Sequence, residues 1–365
     1  MRILVIKLRN IGDTLLVSPL LENLSRSFEN CIIDFLINSD SYEILELNPY
    51  VKNIFCYERL NKKEYSFLSI AKNEIQFFSF FYRKSYDIVI NLTEGDRGAI
   101  ISLLTKSPKK IGYRNKNFFL KGVYDILMPP QLDRHTVECN LDPMNILNLP
   151  ILTTKVSIFF DQEDLSFIRN KYNLKGGIVH IHPVSRWMFK SISAELFAQI
   201  IDFIELSLNL RVFITASPLI KEIEEVGKII SLCKSNPSNL AGLLTIKQTA
   251  ALNSQAKLFL GVDTAIMHIS AANNVPVIAF FGPSGAHHWG PWDNSLLESG
   301  YLKKNGNQIM GLHSVISENR ICQPCGNDGC NGSKISDCLL HFKMQRVQEE
   351  IIDKLNITKD NERKT

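Results

Sequence analysis

Residues 258–281 read Leu258-Phe259-Leu260-Gly261-Val262-Asp263-Thr264-Ala265-Ile266-Met267-His268-Ile269-Ser270-Ala271-Ala272-Asn273-Asn274-Val275-Pro276-Val277-Ile278-Ala279-Phe280-Phe281. Leu258 to Gly261 and Val275 to Phe281 are contiguous apolar runs, the pattern of strands covered on both faces, and a short helix lies between them. The first strand ends at a turn where a helix begins. Free N–H groups and the helix dipole favour an anion there. Asp263 or Thr264 can cap the helix, and Thr264 can donate its hydroxyl to a phosphate oxygen. His268 lies one turn in, on the same face as Thr264. The competing reading is a plain N-cap and a packed core histidine.

The same alternation runs outward in both directions. Strands are expected at Met1 to Lys7, Cys31 to Ile37, Val51 to Cys56 and Tyr86 to Asn91, then at Ile178 to His182 and Arg211 to Thr215. Leu15, Leu16, Leu20, Leu21 and Leu24 recur at helical spacing, and helices are expected at Glu64 to Arg83, Ala194 to Leu206 and Leu219 to Ile230. Alternating βα structure predicts doubly wound α/β sheets. The pattern loosens between Leu141 and Val156, where Pro143 and Pro150 interrupt it. We therefore expect two Rossmann-like domains facing a cleft, residues 1–155 and 156–342. A helix over 343–357 is expected to pack back on the N-terminal domain, and a disordered tail over 358–365 to follow.

The composition is that of a soluble globular protein: 45% apolar and 21% charged residues in a chain of 365. A net charge of +4 is too mild for a general nucleic-acid binder. No stretch approaches the roughly 18 uncharged apolar residues of a membrane helix. Lys7 and Arg9 break the first apolar run where a signal peptide would continue, so a cytoplasmic location is expected. Neither half carries GxGxxG after its first strand, and GxxxxGK[ST] is absent. Both facts argue against a nicotinamide dehydrogenase and a P-loop ATPase.

Gly261 to His268, with Ala271-Ala272, Val275-Pro276-Val277 and Phe281-Gly282-Pro283, resembles the signature of glycosyltransferase family 9, the bacterial lipopolysaccharide heptosyltransferases. Ile3-Leu4-Val5-Ile6-Lys7, Gly12-Asp13 and Pro19-Leu20 resemble the start of that family. His182-Pro183, Arg186 and Lys190 resemble the segment that opens its second domain. Arg9 to Leu20, the Arg186 to Lys190 spacing and Trp289-Gly290-Pro291-Trp292 look closest to the branch adding the third heptose. Ala265 departs from the glycine that many members carry after Asp-Thr.

The resemblance implies a GT-B fold and inverting transfer from ADP-L-glycero-β-D-manno-heptose, bound by the C-terminal domain. The acceptor is a lipid-linked core sugar bound by the N-terminal domain. It implies Asp13 as the base and Lys190 as the cation at the donor phosphates. Without it, Asp13 reads as a helix cap and Lys190 as a surface lysine at a helix start, where cations are disfavoured. Ser185 and Arg186 join the donor site with Asp263, Thr264, Ala265 and His268. Glu222 falls where the family places a carboxylate near ribose or adenine; a solvated helix face is the competing reading.

Lys106, Lys109, Lys110, Arg114, Lys116 and Lys121 form a basic stretch with Tyr113, Phe118 and Phe119 interleaved, and no acid occurs between Arg97 and Tyr124. In an acceptor domain this suits an anionic glycolipid better than a nucleic acid. Lys109, Lys110, Arg114, Arg59, Lys62 and Lys63 are the acceptor-binding candidates. Peripheral contact with the inner membrane surface is expected to accompany them.

Cys322, Cys325, Cys330 and Cys338 fall within 17 residues. They could enclose one structural tetrahedral metal, zinc first and an iron–sulfur cluster second, with unliganded thiols as the alternative. The chemistry itself is expected to need no cofactor. Three rival functions remain at this point. One is a family 9 transferase using another nucleotide sugar or a protein acceptor. The second is a metal-binding interaction module built on the cysteine loop. The third is a nucleotide-sugar epimerase on the same fold, which would turn over donor without an acceptor.

Overall fold

The structure, a computed structural model, describes residues 1–60 and 64–362, and beyond residue 356 only the course of the main chain. It divides into two units: Met1–Leu132 with Thr136–Thr154, and Asp133–His135 with Lys155–Thr365.

Unit 1 is built on β1 (Arg2–Lys7), β2 (Ile32–Asn38), β3 (Asn53–Tyr57), β4 (Ile88–Asn91), β5 (Lys109–Gly112) and β6 (Ile126–Leu127). All its pairs are parallel, in the order β3-β2-β1-β4-β5-β6. Ile3 to Ile6 are wholly buried, as a central parallel strand requires. Its helices are α1 (Ile11–Leu15), α2 (Ser18–Ser27), α3 (Tyr42–Leu45), α4 (Phe67–Tyr82), α5 (Asp96–Leu104) and α6 (Thr136–Ile146). The leucine-rich stretch after β1 is two helices, because Pro19 starts a new one at its first turn. Pro143, an interruption by sequence, lies inside α6. There α6 packs on α2, and Asn140 Nδ2 donates to Leu16 O at 2.9 Å.

Unit 2 contains β7 (Ile178–His182), β8 (Arg211–Ile214), β9 (Ser238–Asn239), β10 (Ala256–Val262), β11 (Val277–Phe281), β12 (Gln308–Met310) and β13 (His313–Ser317). The order is β12-β13-β11-β10-β7-β8-β9, and only the β12–β13 pair is antiparallel. Its helices are α7 (Gln162–Lys171), α8 (Ala194–Asp202), α9 (Ile220–Leu232), α10 (Ile246–Asn253), α11 (Ala265–Ala272), α12 (Ala286–Trp289) and α13 (Met344–Glu362).

Helix α13 belongs to unit 2, where Val347, Ile351 and Leu355 are buried in the core and the helix packs on α8 and β10. It also continues through Glu362, beyond the Thr358 that opens the expected disordered tail. No glycine or proline stands in that stretch to stop it. Residues 363–365 lie outside the described residues. Among the described residues no helix is long and apolar enough to cross a membrane.

Candidate active site

Each sheet has one point where the chain reverses its direction of winding. Unit 1 winds through β1, β2 and β3, then returns to β4 beside β1; unit 2 winds through β7, β8 and β9, then returns to β10 beside β7. Loops diverge at such a switch point, and ligands of α/β sheets bind outside the carboxyl ends of the strands there.

In unit 2 the two strands flanking this point deliver Lys190 and Asp263. Lys190 ends a single 3₁₀ turn, Met188–Lys190, ahead of α8. Asp263 directly follows β10. Lys190 Nζ donates to Asp263 Oδ2 at 2.6 Å, and Ser284 Oγ donates to the same oxygen at 2.6 Å. Burial pushes the Asp263 carboxyl up. The Lys190 charge and hydrogen bond and the Ser284 hydroxyl outweigh that and hold it below the usual carboxylate range. The carboxylate is therefore ionised at neutral pH.

Thr264 occupies the N-cap position of α11, yet its hydroxyl makes no capping bond. Thr264 Oγ1 and His268 Nδ1 are buried without hydrogen-bond partners among the described residues. Burial drives His268 down to about 4, against the pull of Asp263 and with the push of Lys190, so its ring is neutral. This strand edge thus joins a cation, an uncapped helix N-terminus and two polar atoms that lack partners. Such a set suits a phosphate-bearing ligand.

The backbone is close-packed behind it. A Cβ on Gly261 would come within 2.7 Å of His182 O, so β10 can approach β7 only with glycine at this position. Thr215 Oγ1 lies 2.7 Å from His180 Nε2 and 2.9 Å from His182 Nδ1, and Asn253 Nδ2 lies 3.1 Å from His180 Nδ1. Burial lowers His180 to about 3 and His182 to about 4.

The remaining donor candidates occupy the same edge. Ser185 is buried after β7, and its Oγ accepts from Trp187 N at 3.2 Å; Arg186 beside it is exposed. Ala265 is the first residue of α11. Glu222 sits one strand over, buried in the first turn of α9, where its Oε2 accepts from Ser217 N at 3.0 Å. Glu222 is therefore no part of a solvated helix face.

In unit 1 Asp13 lies at the equivalent edge, after β1. It is the third residue of α1, and Asn10 holds the N-cap position, so Asp13 is not the cap. Lys7 closes β1 and is buried; its Nζ donates to Leu92 O at 3.3 Å and to Asn140 Oδ1 at 3.0 Å. Burial pushes its ammonium down to about 8, and the negative charge of Asp13 is the largest opposing influence.

The basic candidates are separated. Arg59 and Arg114 are exposed just beyond the carboxyl ends of β3 and β5, the edge that carries Asp13. Lys109 and Lys110 begin β5 at the opposite edge, roughly 10 Å of strand away. There Lys110 pairs with Asp125 at 3.2 Å. Lys62 and Lys63 lie outside the described residues.

The four cysteines of the expected metal site differ in burial: Cys322 and Cys325 are exposed, Cys330 is half-buried, and Cys338 lies in the core of unit 2. Burial, and then Cys330, push the Cys338 thiol up to about 11. Among the described residues no group of three or more His, Cys, Asp or Glu is placed to hold a metal ion.

Three features escape the sequence reading. Lys7 reads only as the end of a strand, although a lysine closing an apolar run is itself a signal. Ser284 is easily overlooked despite following Phe281-Gly282-Pro283. The third is the segment Asp133–His135, which belongs to unit 2. His135 Nε2 lies 2.9 Å from Gly290 O, and its ring centroid is 4.9 Å from that of Trp292.

Two Rossmann-like sheets, each with polar side chains at its switch point, are the architecture of the GT-B class. The sequence profile of glycosyltransferase family 9 (heptosyltransferase) matches residues 77–308, and the chain belongs to this family. It is similar to lipopolysaccharide heptosyltransferase 3 of Escherichia coli, with 29% identity over 294 residues, covering 79% of this chain and 85% of the relative. Its fold is similar to a family 9 glycosyltransferase from Veillonella parvula, with a TM-score of 0.77, 18% identity and 97% of each chain covered. It is also similar to the E. coli heptosyltransferase WaaC with ADP, with a TM-score of 0.72, 17% identity, and 97% and 100% of the two chains covered.

Proposed function

We propose that the protein transfers L-glycero-D-manno-heptose from ADP-heptose to the inner core of lipopolysaccharide, with inversion at the anomeric carbon. The observation that carries this reading is the Lys190–Asp263 pair beside the uncapped N-terminus of α11. In the proposed reaction the acceptor oxygen attacks the anomeric carbon, the bond from that carbon to the β-phosphate oxygen breaks, and ADP leaves with the electron pair. Asp13 takes the acceptor proton, a task an ionised carboxylate can perform. Lys190 and the first amides of α11 offset the charge gathering on the departing diphosphate. Thr264 and His268 find partners on the donor, and Ser185, Arg186, Ala265 and Glu222 complete its surroundings. Arg59 and Arg114 meet the anionic core of the acceptor, and the protein works against a membrane surface on the cytoplasmic side.

The test is turnover with purified ADP-heptose and truncated lipopolysaccharides of defined core length, read by the mass gained by the acceptor. One heptose added to one core length is the expected result. Transfer from another nucleotide sugar, or to protein in place of lipopolysaccharide, would overturn this reading.

A further inference from the structure

The 3₁₀ turn Phe118–Leu120 of unit 1 holds two phenylalanines out in water: Phe118 is 77% and Phe119 90% exposed. The turn is rigidly built. Asn117 Oδ1 accepts from Phe119 N at 3.1 Å, and Asn115 Oδ1 accepts from Asn117 N at 2.7 Å. Asn117 Nδ2 donates to Asp96 Oδ2 at 3.1 Å, and Asn115 Nδ2 to Gly95 O at 3.2 Å. Leu120 packs against the small core of Ala99, Val123 and Tyr124. Asparagines and one leucine thus fix the turn while both rings face away from the protein. Apolar side chains so displayed mark a contact surface.

A second apolar projection stands on the same edge of the sheet. Helix α4 begins with Phe67 and Leu68, 82% and 78% exposed, fixed by the Ser66 cap on Ser69 N at 3.2 Å. The start of α5 connects the two projections, since Arg97 pairs with Glu74 of α4 at 2.9 Å and Asp96 holds Asn117. Arg114, Lys116 and Lys121 are exposed around the phenylalanines, and Lys121 Nζ lies 5.4 Å from the Phe118 ring centroid. No acid occurs between Arg97 and Tyr124.

We infer that this edge docks on an anionic phospholipid bilayer, with Phe118 and Phe119 entering the interface and Phe67 and Leu68 alongside. Protruding rings ringed by cations match a surface that is apolar beneath and negative above. The rings do not form a groove for a peptide, and the cations would repel a second copy of the same patch. Docking deepens the proposed function, since a lipid-linked acceptor would be met at the edge that carries Asp13.

The experiment is cosedimentation of the full chain, without donor or acceptor, with vesicles of phosphatidylglycerol and phosphatidylethanolamine, and with pure phosphatidylcholine as the contrast. Wild type should bind the anionic vesicles, and the double variant Phe118→Ser, Phe119→Ser should bind about tenfold or more weakly. Lys116→Gln with Lys121→Gln should weaken binding and flatten its salt dependence. Both pairs are exposed, so folding is not at risk, and a melting curve verifies this. In Phe118→Trp, emission beyond the wild-type background should shift blue on vesicles and be quenched by brominated lipid. Double-serine binding equal to wild type, or Phe118→Trp emission blind to vesicles, overturns the proposal. So does a fall in transfer to a deacylated, water-soluble acceptor, because the rings would then touch the acceptor. Vesicle binding without heptose transfer leaves docking intact and removes the proposed function. Transfer without vesicle binding does the reverse.

Discussion

Lys190 and Asp263, 73 residues apart in sequence, meet at 2.6 Å across the switch point of the second sheet. The aspartate is buried and draws its charge balance from the lysine and from Ser284. The pair fixes the ammonium beside the first turn of α11, where a lysine placed by sequence alone would be unwelcome. An anion arriving there meets a cation that is already oriented.

Lys190→Ala is expected to cost transfer about 2.7–4 kcal/mol in the barrier. It also strips a buried carboxylate of its cation, so stability should fall by about 1–3 kcal/mol. Adding Asp263→Asn should restore the melting temperature without restoring turnover. Recovery of both together would make the pair a purely structural contact.

Asp13→Asn should lower kcat by about 10²–10⁴, the usual worth of a general base, with ADP affinity unchanged. Because Asn10 holds the cap position, Asp13→Ala should melt close to the Asn variant. A wild-type kcat in the Asn variant would move the base elsewhere.

Thr264 Oγ1 is buried without a partner, so Thr264→Val should leave the ligand-free protein as stable or more stable. If the donor supplies the missing partner, ADP should bind about tenfold more weakly, the worth of one hydrogen bond. Titration calorimetry against ADP reads this directly; unchanged affinity would exclude the hydroxyl from the donor site.

Acid should unfold unit 2 before unit 1. All eight histidines lie in unit 2. Burial holds His135 and His180 near 3 and His182, His268 and His313 near 4, all neutral. Unfolded histidines take up protons near 6.5, so the unfolded state binds more protons between that pH and about 4. Stability is therefore present above 6.5 and lost as the pH falls through this window, on the order of 3 kcal/mol per histidine. Trp187, Trp289 and Trp292 are all in unit 2, so tryptophan emission should change before far-ultraviolet dichroism is fully lost. Coincident transitions below pH 4 would contradict this.

Iodoacetamide should label Cys322 and Cys325 first and Cys338 last, following exposure and the raised thiol of Cys338. A chelator should leave that order unchanged. Protection of all four thiols that a chelator relieves would show that a metal gathers them.

The central strands are legible from residue order because apolar, mostly branched residues dominate them. Ile3 to Ile6, Ile178 to His182 and Val277 to Phe281 each announce a strand buried on both faces. The turn after Val262 is legible in part: Asp263-Thr264 between a strand and a helix reads either as an anion site or as a plain N-cap. Short edge strands such as β5 and β13 are not legible, since a few residues beside lysine or polar neighbours carry little periodic signal.

The sequence by itself thus determined two largely parallel sheets and the strand-to-helix turn at Asp263-Thr264, because local hydrophobic spacing and helix-end chemistry are properties of adjacent residues. Tertiary structure alone decided that Lys190 pairs with Asp263, that Asn10 rather than Asp13 takes the cap position, and that Lys109 and Arg114 stand at opposite ends of β5. It alone decided that His135 joins the second unit and that Cys338 is buried while Cys322 and Cys325 are exposed. Those outcomes depend on strand order and on which side chains lose water together. Both arise from packing across the chain, and no short stretch of residues encodes them.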